Sequence, residues 1–307
     1  MIGVIVLGAA AGGGFPQWNS AGAGCCRARA GDPAAKPRTQ ASLAVTADGR
    51  RWFLLNAAPD LRQQILATPA LHPSGGLRGS PLAGVVLTGG DVDAIAGLLV
   101  LREGHPFTIH AAAPVLRVLD ANPIFDVLAR DLVRRTELPL DRATVLRDAT
   151  DAACGLAVTP FAVPGKVPLY LERPGETPPL VQDGTTVGLA ISDGARTLFF
   201  IPGCAAMTPE LAERLRGADA VFFDGTLWRD DEMIRLGIGG KTGRRMGHMS
   251  LTGSDGTLAA FAALGVRRKI LLHINNTNPV LLDDSVERAH VVAHGWEVAE
   301  DGMELTL

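Results

Sequence analysis

Short apolar runs alternate with glycine-rich breaks along most of this chain, and that rhythm predicts a mixed α/β architecture. "GVIVLG" (3–8) has the pattern of a buried strand. The glycine-rich stretch after it lacks the GxGxxG spacing, and Pro16 falls where a helix would begin. It is therefore expected to be a loop and not a dinucleotide fingerprint. "ASLAVTADGRRWFLLNAAPDL" (41–61) reads as a hairpin turning at "ADGR", with a helix beginning at "LRQQILAT". "LAGVVLT" (82–88) reads as a buried strand followed by a tight loop and a helix through "AIAGLLVLREG". Further strands are expected at 107–112, 156–163, 219–226 and 268–276, with a second hairpin at 185–203 turning at "SDGA". Helices are expected at 208–218, with Thr208 as N-cap and Glu210 in the first turn, at 254–266, and within 281–295. One closing strand is expected near "WEVAEDGMELTL". Hairpins followed by βα units, repeated about twice, imply two sheets with helices outside: one αββα domain over residues 1–307.

Composition narrows the functions open to such a fold. Hydrophobic residues make up 47 % of the 307, enough for a large core. The net charge is −3 without a basic stripe, so nucleic acid is not an expected partner. No apolar stretch approaches the length of a membrane span, and the N-terminus reads as a strand and not a signal peptide. Four scattered cysteines form no disulfide framework, and a reduced, cytoplasmic setting is expected. Cys25 and Cys26 are adjacent, a poor spacing for one tetrahedral zinc, so a structural zinc there is not expected.

Candidate chemistry lies at the strand ends, where α/β folds build their sites. Asp91 and Asp93 follow the 82–88 strand. Two carboxylates there suit a hard cation, although helix capping is the simpler account of the segment taken alone. His273 ends an apolar run, where a ligand and a hydrogen-bonded core histidine are both open readings. His248 sits in a glycine-flanked loop, suited to proton transfer or to plain exposure. Cys204 and Asp224 each end a strand; a buried thiol and a turn-forming acid account for them, and metal ligation is the alternative. His72, His105, His110, His290 and His294 have no partner at ligand spacing and are read as structural or exposed.

The order of these landmarks resembles the metallo-β-lactamase fold superfamily, in its ribonuclease Z-like branch. "LLNAAPDLRQQI" is similar to the branch's "DAGPDLR" segment, with Asn56 in place of the first acid. "LTGGDVDAIAGLLVLR" is similar to its "THxHxDHxxGLxxLR" metal loop, "FFIPGCA" to its "YTGDT" strand end, "GHMS" to "GHST", and "ILLHINN" to "LTHFS". Aligned this way, the three histidines of the loop fall at Gly89, Asp91 and Ala94, and its aspartate at Asp93. The bridging aspartate falls at Cys204, while His248 and His273 are kept. "GGGFPQWN", "GLLVLREG" and "LLHINNTNP" further resemble a family of pyrroloquinoline quinone (PQQ) biosynthesis proteins, over essentially the whole chain.

The resemblance implies a metal held by Asp91, Asp93 and His273, with Asp224 and Cys204 as secondary candidates. Such an oxygen-rich set with open positions favours Fe(II) and O2 over a closed zinc site. It implies an iron-dependent hydroxylase acting on the tyrosine ring of a cross-linked Glu–Tyr intermediate made from a peptide precursor. Asp93 and His248 would be its catalytic residues. Arg62, Arg244, Arg245 and Asn275 are the candidates for holding the substrate and its carboxylates. A carrier that binds PQQ without chemistry and a metal-dependent hydrolase are the alternatives. A homodimer is among the assemblies left open.

Overall fold

In a computed structural model, which describes residues 1–173 and 175–307, the chain folds into two seven-stranded sheets packed face to face. The strands are β1 (Gly3–Gly8), β2 (Ser42–Thr46), β3 (Trp52–Leu55), β4 (Leu82–Val86), β5 (Phe107–Ala111), β6 (Val133–Glu137) and β7 (Thr144–Arg147). They continue as β8 (Ala153–Ala162), β9 (Val187–Ser192), β10 (Thr197–Ile201), β11 (Ala220–Asp224), β12 (Arg268–Leu272), β13 (Trp296–Val298) and β14 (Glu304–Thr306). The first sheet runs β14-β1-β2-β3-β4-β5-β6 and the second β13-β12-β11-β10-β9-β8-β7. Each sheet is built alike, with antiparallel strands passing into parallel ones: β3 to β6 in the first, β10 to β13 in the second. Parallel strands carry their C-terminal ends to one side of a sheet. Asp91, Cys204, Asp224 and His273 all lie at or beyond such ends.

The helices are α1 (Ala23–Arg29), α2 (Leu61–Ala67), α3 (Val92–Ile95), α4 (Ala113–Ala121), α5 (Pro209–Leu215), α6 (Glu232–Arg235), α7 (Gly243–Met246), α8 (Thr257–Phe261) and α9 (Val286–Ala293). Three apolar layers follow from the strand pattern. Val6, Leu43, Phe53 and Val86 of the first sheet meet Val158, Leu189, Phe200 and Phe222 of the second, all fully buried. The outer face of the first sheet packs beneath α2 and α4, through Leu61, Val115 and Leu119. That of the second packs beneath α5, α8 and α9, through Leu211, Phe261 and Val291. The turns of both expected hairpins are built as their sequences require. Asp48 and Asp193 each accept two backbone N–H bonds across their turns, and Gly49 and Gly194 take positive φ. Thr208 caps α5 through the N–H of Leu211 at 3.2 Å, as expected. No helix among the described residues is long and apolar enough to cross a membrane.

Several sequence expectations are corrected. The helix after the 87–91 loop is one turn, α3, followed by a 3-10 stretch over Ala96–Leu101. Its backbone bonds run sideways: Gly97 N–H donates to Ala57 O at 2.8 Å, and Ala57 N–H donates to Ala94 O at 2.7 Å. A Cβ at Gly97 would lie 2.1 Å from Ala58 O, so only glycine permits this approach. The closing strand is two strands, β13 in the second sheet and β14 in the first, because residues 299–303 cross between them. The helix expected over 254–266 is confined to α8, and the one expected within 281–295 begins only after Ser285, whose side chain accepts the Arg288 N–H. Finally, α1, α4, β6 and β7 lie outside the expected elements. The charged, half-exposed segments "VRRTE" and "TVLR" form the outer edges of the two sheets, where apolar alternation is not required.

Candidate active site

A cavity of about 540 Å³ opens where the loops beyond the parallel strands of both sheets converge. Asp91, Asp93, His248 and His273 line it, with Thr226, Asn275, Lys166 and Lys241. The two halves of its wall are built differently.

From the first sheet come the carboxylates. Asp91 occupies the N-cap position of α3 but makes no capping hydrogen bond, which removes the simpler reading of that residue. Burial and the neighbouring Asp93 charge push its carboxyl above the usual range. Asp93 follows in the first turn. Its Oδ2 lies 2.7 Å from His273 Nε2, across 180 residues of chain. Burial acts against both charges of this pair, but the hydrogen bond and mutual attraction prevail. Asp93 is held below the carboxylate range and His273 above the usual imidazole value. Behind them, Asn56 at the end of β3 adopts positive φ, and its side-chain oxygen accepts the Thr88 N–H at 2.9 Å, fixing the start of the metal-loop segment. Asparagine tolerates that backbone conformation better than most residues.

From the second sheet comes a closed hydrogen-bond network. Asp224 is fully buried. It accepts the Cys204 N–H (3.0 Å), the Thr226 N–H (3.0 Å) and the Thr226 hydroxyl (2.6 Å). It also lies 2.7 Å from His248 Nδ1. A carboxylate only accepts, so Nδ1 carries a proton and donates it to Asp224. Thr226 Oγ1 lies 2.9 Å from His273 Nδ1 and 3.1 Å from His248 Nδ1, joining the two imidazoles, which stack with centroids 5.1 Å apart. His273 stands one residue past β12 with φ of 55°, an unusual conformation for a histidine that turns its ring from the strand into the site.

Two groups of side chains here could hold a metal. Ligand atoms of Asp224, His248 and His273 lie within 4.8 Å of one another. The Asp224 oxygens are, however, already used by four donors, and Asp224 does not line the cavity. Its chemistry is that of a carboxylate that orients a histidine. Asp91, Asp93 and His273 do line the cavity, although their three ligand atoms are not all gathered within that distance of one another. Asp93 Oδ2 and His273 Nε2, which share a hydrogen bond, are both atoms of the kind that ligate a metal once the proton between them is lost. This donor set of two carboxylates and one imidazole fits a divalent ion of the Fe(II) or Mn(II) type.

Other sequence candidates are placed elsewhere. Cys204 does not line the cavity. Its thiol is buried against Ala206 O, burial pushes it up to about 12, and what it contributes is its backbone N–H to Asp224. Cys25 is buried against Asn276 and Cys26 is exposed, so successive positions on α1 point the two thiols apart. Arg62 and Arg244 are exposed and outside the cavity wall, and Arg245 lies behind it against Glu172. The cations that do line the cavity are Lys166 and Lys241. Asn275 is in the wall, donating to Thr277 Oγ1 at 2.7 Å. Thr226 carries no signal in the sequence; its place as the link between two histidines depends on β11 and β12 lying side by side.

A sequence profile of the β-lactamase superfamily domain matches residues 51–274. The chain is 62 % identical, over all of both chains, to coenzyme PQQ synthesis protein B of Gluconacetobacter diazotrophicus. It is 57 % identical to that of Gluconobacter oxydans, over 100 % of this chain and 99 % of the relative. The crystal structure of Zn(2+)-bound PqqB from Methylobacterium extorquens superposes with a TM-score of 0.95 at 51 % identity, covering 99 % of this chain and 100 % of the other. A diphosphatase of the PhnP family superposes with a TM-score of 0.67 at 21 % identity, over 99 % and 96 % of the two chains, a likeness of fold alone.

Proposed function

The chain belongs to the coenzyme PQQ synthesis protein B family, on the β-lactamase superfamily fold, and from that premise we propose that it is a non-haem Fe(II)-dependent oxygenase of PQQ biosynthesis. Its substrate is the cross-linked Glu–Tyr intermediate derived from a peptide precursor, and it hydroxylates the tyrosine ring. The observation that carries this reading is the donor set on the cavity wall. Where the hydrolases of the fold present histidines, this chain aligns Gly89, Asp91 and Ala94, and the cavity wall offers Asp91, Asp93 and His273 as ligands, with His248 beside them. Bound Fe(II) supplies the one-electron chemistry that lets O2 react with a closed-shell aromatic ring. Asp91, Asp93 and His273 would hold it.

The rest belongs to the protein. Asp224 fixes His248 in the tautomer whose Nε2 is free to take or return a proton at the ring being oxidised. Asn275 offers an amide at the wall to orient the substrate. Tyr170 donates its hydroxyl to Gly90 O at 2.6 Å, tying the 169–171 turn across the metal loop and narrowing access for water.

The test is anaerobic loading with Fe(II), followed by O2 admission in the presence of a cross-linked Glu–Tyr substrate. Substrate-dependent O2 uptake with an oxygen mass gain, absent in Asp93→Ala, is the expected result. Turnover without O2, supported by zinc, would replace this reading with the hydrolase one, which the Zn(2+)-bound PqqB of Methylobacterium extorquens favours. Tight PQQ binding with neither metal nor turnover would replace it with a carrier.

A further inference from the structure

Beside the metal-facing wall, three cations converge on one carboxylate. Glu172, at the end of the 169–171 turn, meets Lys166 Nζ at 3.0 Å through Oε1. Through Oε2 it meets Lys241 Nζ at 2.8 Å and Arg245 Nη2 at 3.4 Å. The cluster is sheltered on one side, where the Glu172 and Lys166 side chains are 9 % and 11 % exposed, and open on the other, where Lys241 is 38 % exposed. Arg245 Nη1 is buried with no hydrogen-bond partner among the described residues. A buried guanidinium donor left unpaired is costly, and so is a buried excess of like charge. Three cations against one carboxylate leave two positive charges over. Asp91 and Asp93 do not cancel them if they are committed to the metal.

The arrangement has a direction. Lys166 and Lys241 line the cavity, whereas Glu172 and Arg245 do not. The carboxylate therefore stands behind the two lysines and holds them side by side, and does not stand between them and a ligand. Gly247, the neighbour of His248, packs on the Lys166 stem, where a Cβ would lie 3.4 Å from Cγ, so this lysine is fixed next to the proton-transfer histidine. Leu169 and Tyr170 complete that side of the cavity with apolar and aromatic surface. Lys241 and Lys166 hold the Glu172 carboxyl down at about 2, so it remains ionised at any working pH.

We infer that Lys166 and Lys241 form a carboxylate-binding subsite, braced by Glu172 and Arg245, which anchors a polyanionic aromatic ligand beside the metal-facing wall. A carboxylate already sits among these cations in the form of Glu172, so the geometry accepts that group. The inference rests on the reading above of a ligand rich in carboxylates. It replaces the arginines expected from sequence with two lysines that reach the cavity.

The probe is PQQ, a tricarboxylate, titrated calorimetrically into the full-length protein and compared with its uncharged trimethyl ester. Lys166→Met and Lys241→Met are each expected to weaken PQQ binding about tenfold, and the double variant by more. The salt dependence of binding should flatten in the same order. Lys241→Arg, which keeps the charge, should retain most of the affinity. Glu172→Gln should weaken binding while leaving its salt dependence steep, since both lysines stay charged but lose their brace. The ester should bind all variants alike. Wild type that binds PQQ no better than the ester overturns both this subsite and the polycarboxylate reading. Wild type that binds PQQ tightly, with a folded double variant binding equally well, overturns the subsite alone.

Discussion

The two walls of the cavity hold acids in opposite ways. Asp91 and Asp93, from the first sheet, stand in the cavity; one makes no capping bond and the other is paired only with the histidine it faces. Asp224, from the second sheet, is withdrawn from the cavity and surrounded by donors from Cys204, Thr226 and His248. An acid that is already satisfied positions its neighbours, whereas an acid with unused oxygens is free to bind. The contrast separates ligand from scaffold even though Asp224, His248 and His273 lie close enough to suggest a metal cluster of their own.

Substitutions can break that contrast in order of expected size. Asp93→Ala should lower Fe(II) affinity and turnover by more than about 100-fold, because it removes a ligand and not a supporting group. Metal analysis after anaerobic gel filtration reads the loss. Asp224→Asn should cut turnover by about 10- to 100-fold while leaving the metal bound, since it disturbs only the orientation of His248. The split between kcat and metal content is the measurement. Thr226→Val removes the hydroxyl that donates to Asp224 and lies 2.9 Å from His273 Nδ1, and urea unfolding should show a loss of about 1–3 kcal/mol.

The smallest functional effect belongs to a histidine outside the site. His110, within β5, is buried with neither ring nitrogen hydrogen-bonded among the described residues. Burial, helped by the Arg134 charge, holds it down at about 4 against an ordinary 6.5. The unfolded chain takes up that proton first as pH falls. Stability is therefore full above pH 6.5 and declines toward 4, by up to about 3 kcal/mol. Denaturant midpoints measured across this window should lose that part of their slope in His110→Leu, with turnover at neutral pH little changed.

Much of this site is legible in the sequence because strand ends announce themselves. An apolar run stopping at Asp91, Asp224 or His273 places each residue at the edge of a buried sheet, and parallel strands bring those edges together. Cys204 also lies just past a strand, but it acts through its N–H, which its side chain does not reveal. Lys166 and Lys241 were invisible for a different reason. They reach the cavity from loops whose position depends on the packing of both sheets, and nothing local distinguishes them from solvated lysines. The arginines "RR" at 244–245 stood out by contrast, yet α7 turns one to solvent and the other behind the wall. The edge strands β6 and β7 escaped notice because they are only partly buried and need no apolar alternation.

The most direct test of the division between the two walls is anaerobic Fe(II) titration of wild type, Asp93→Ala and Asp224→Asn, with folding checked by circular dichroism. The account predicts one tight site in wild type, near-complete loss in Asp93→Ala, and retention in Asp224→Asn. Retention in Asp93→Ala with loss in Asp224→Asn would contradict it and assign the metal to Asp224, His248 and His273.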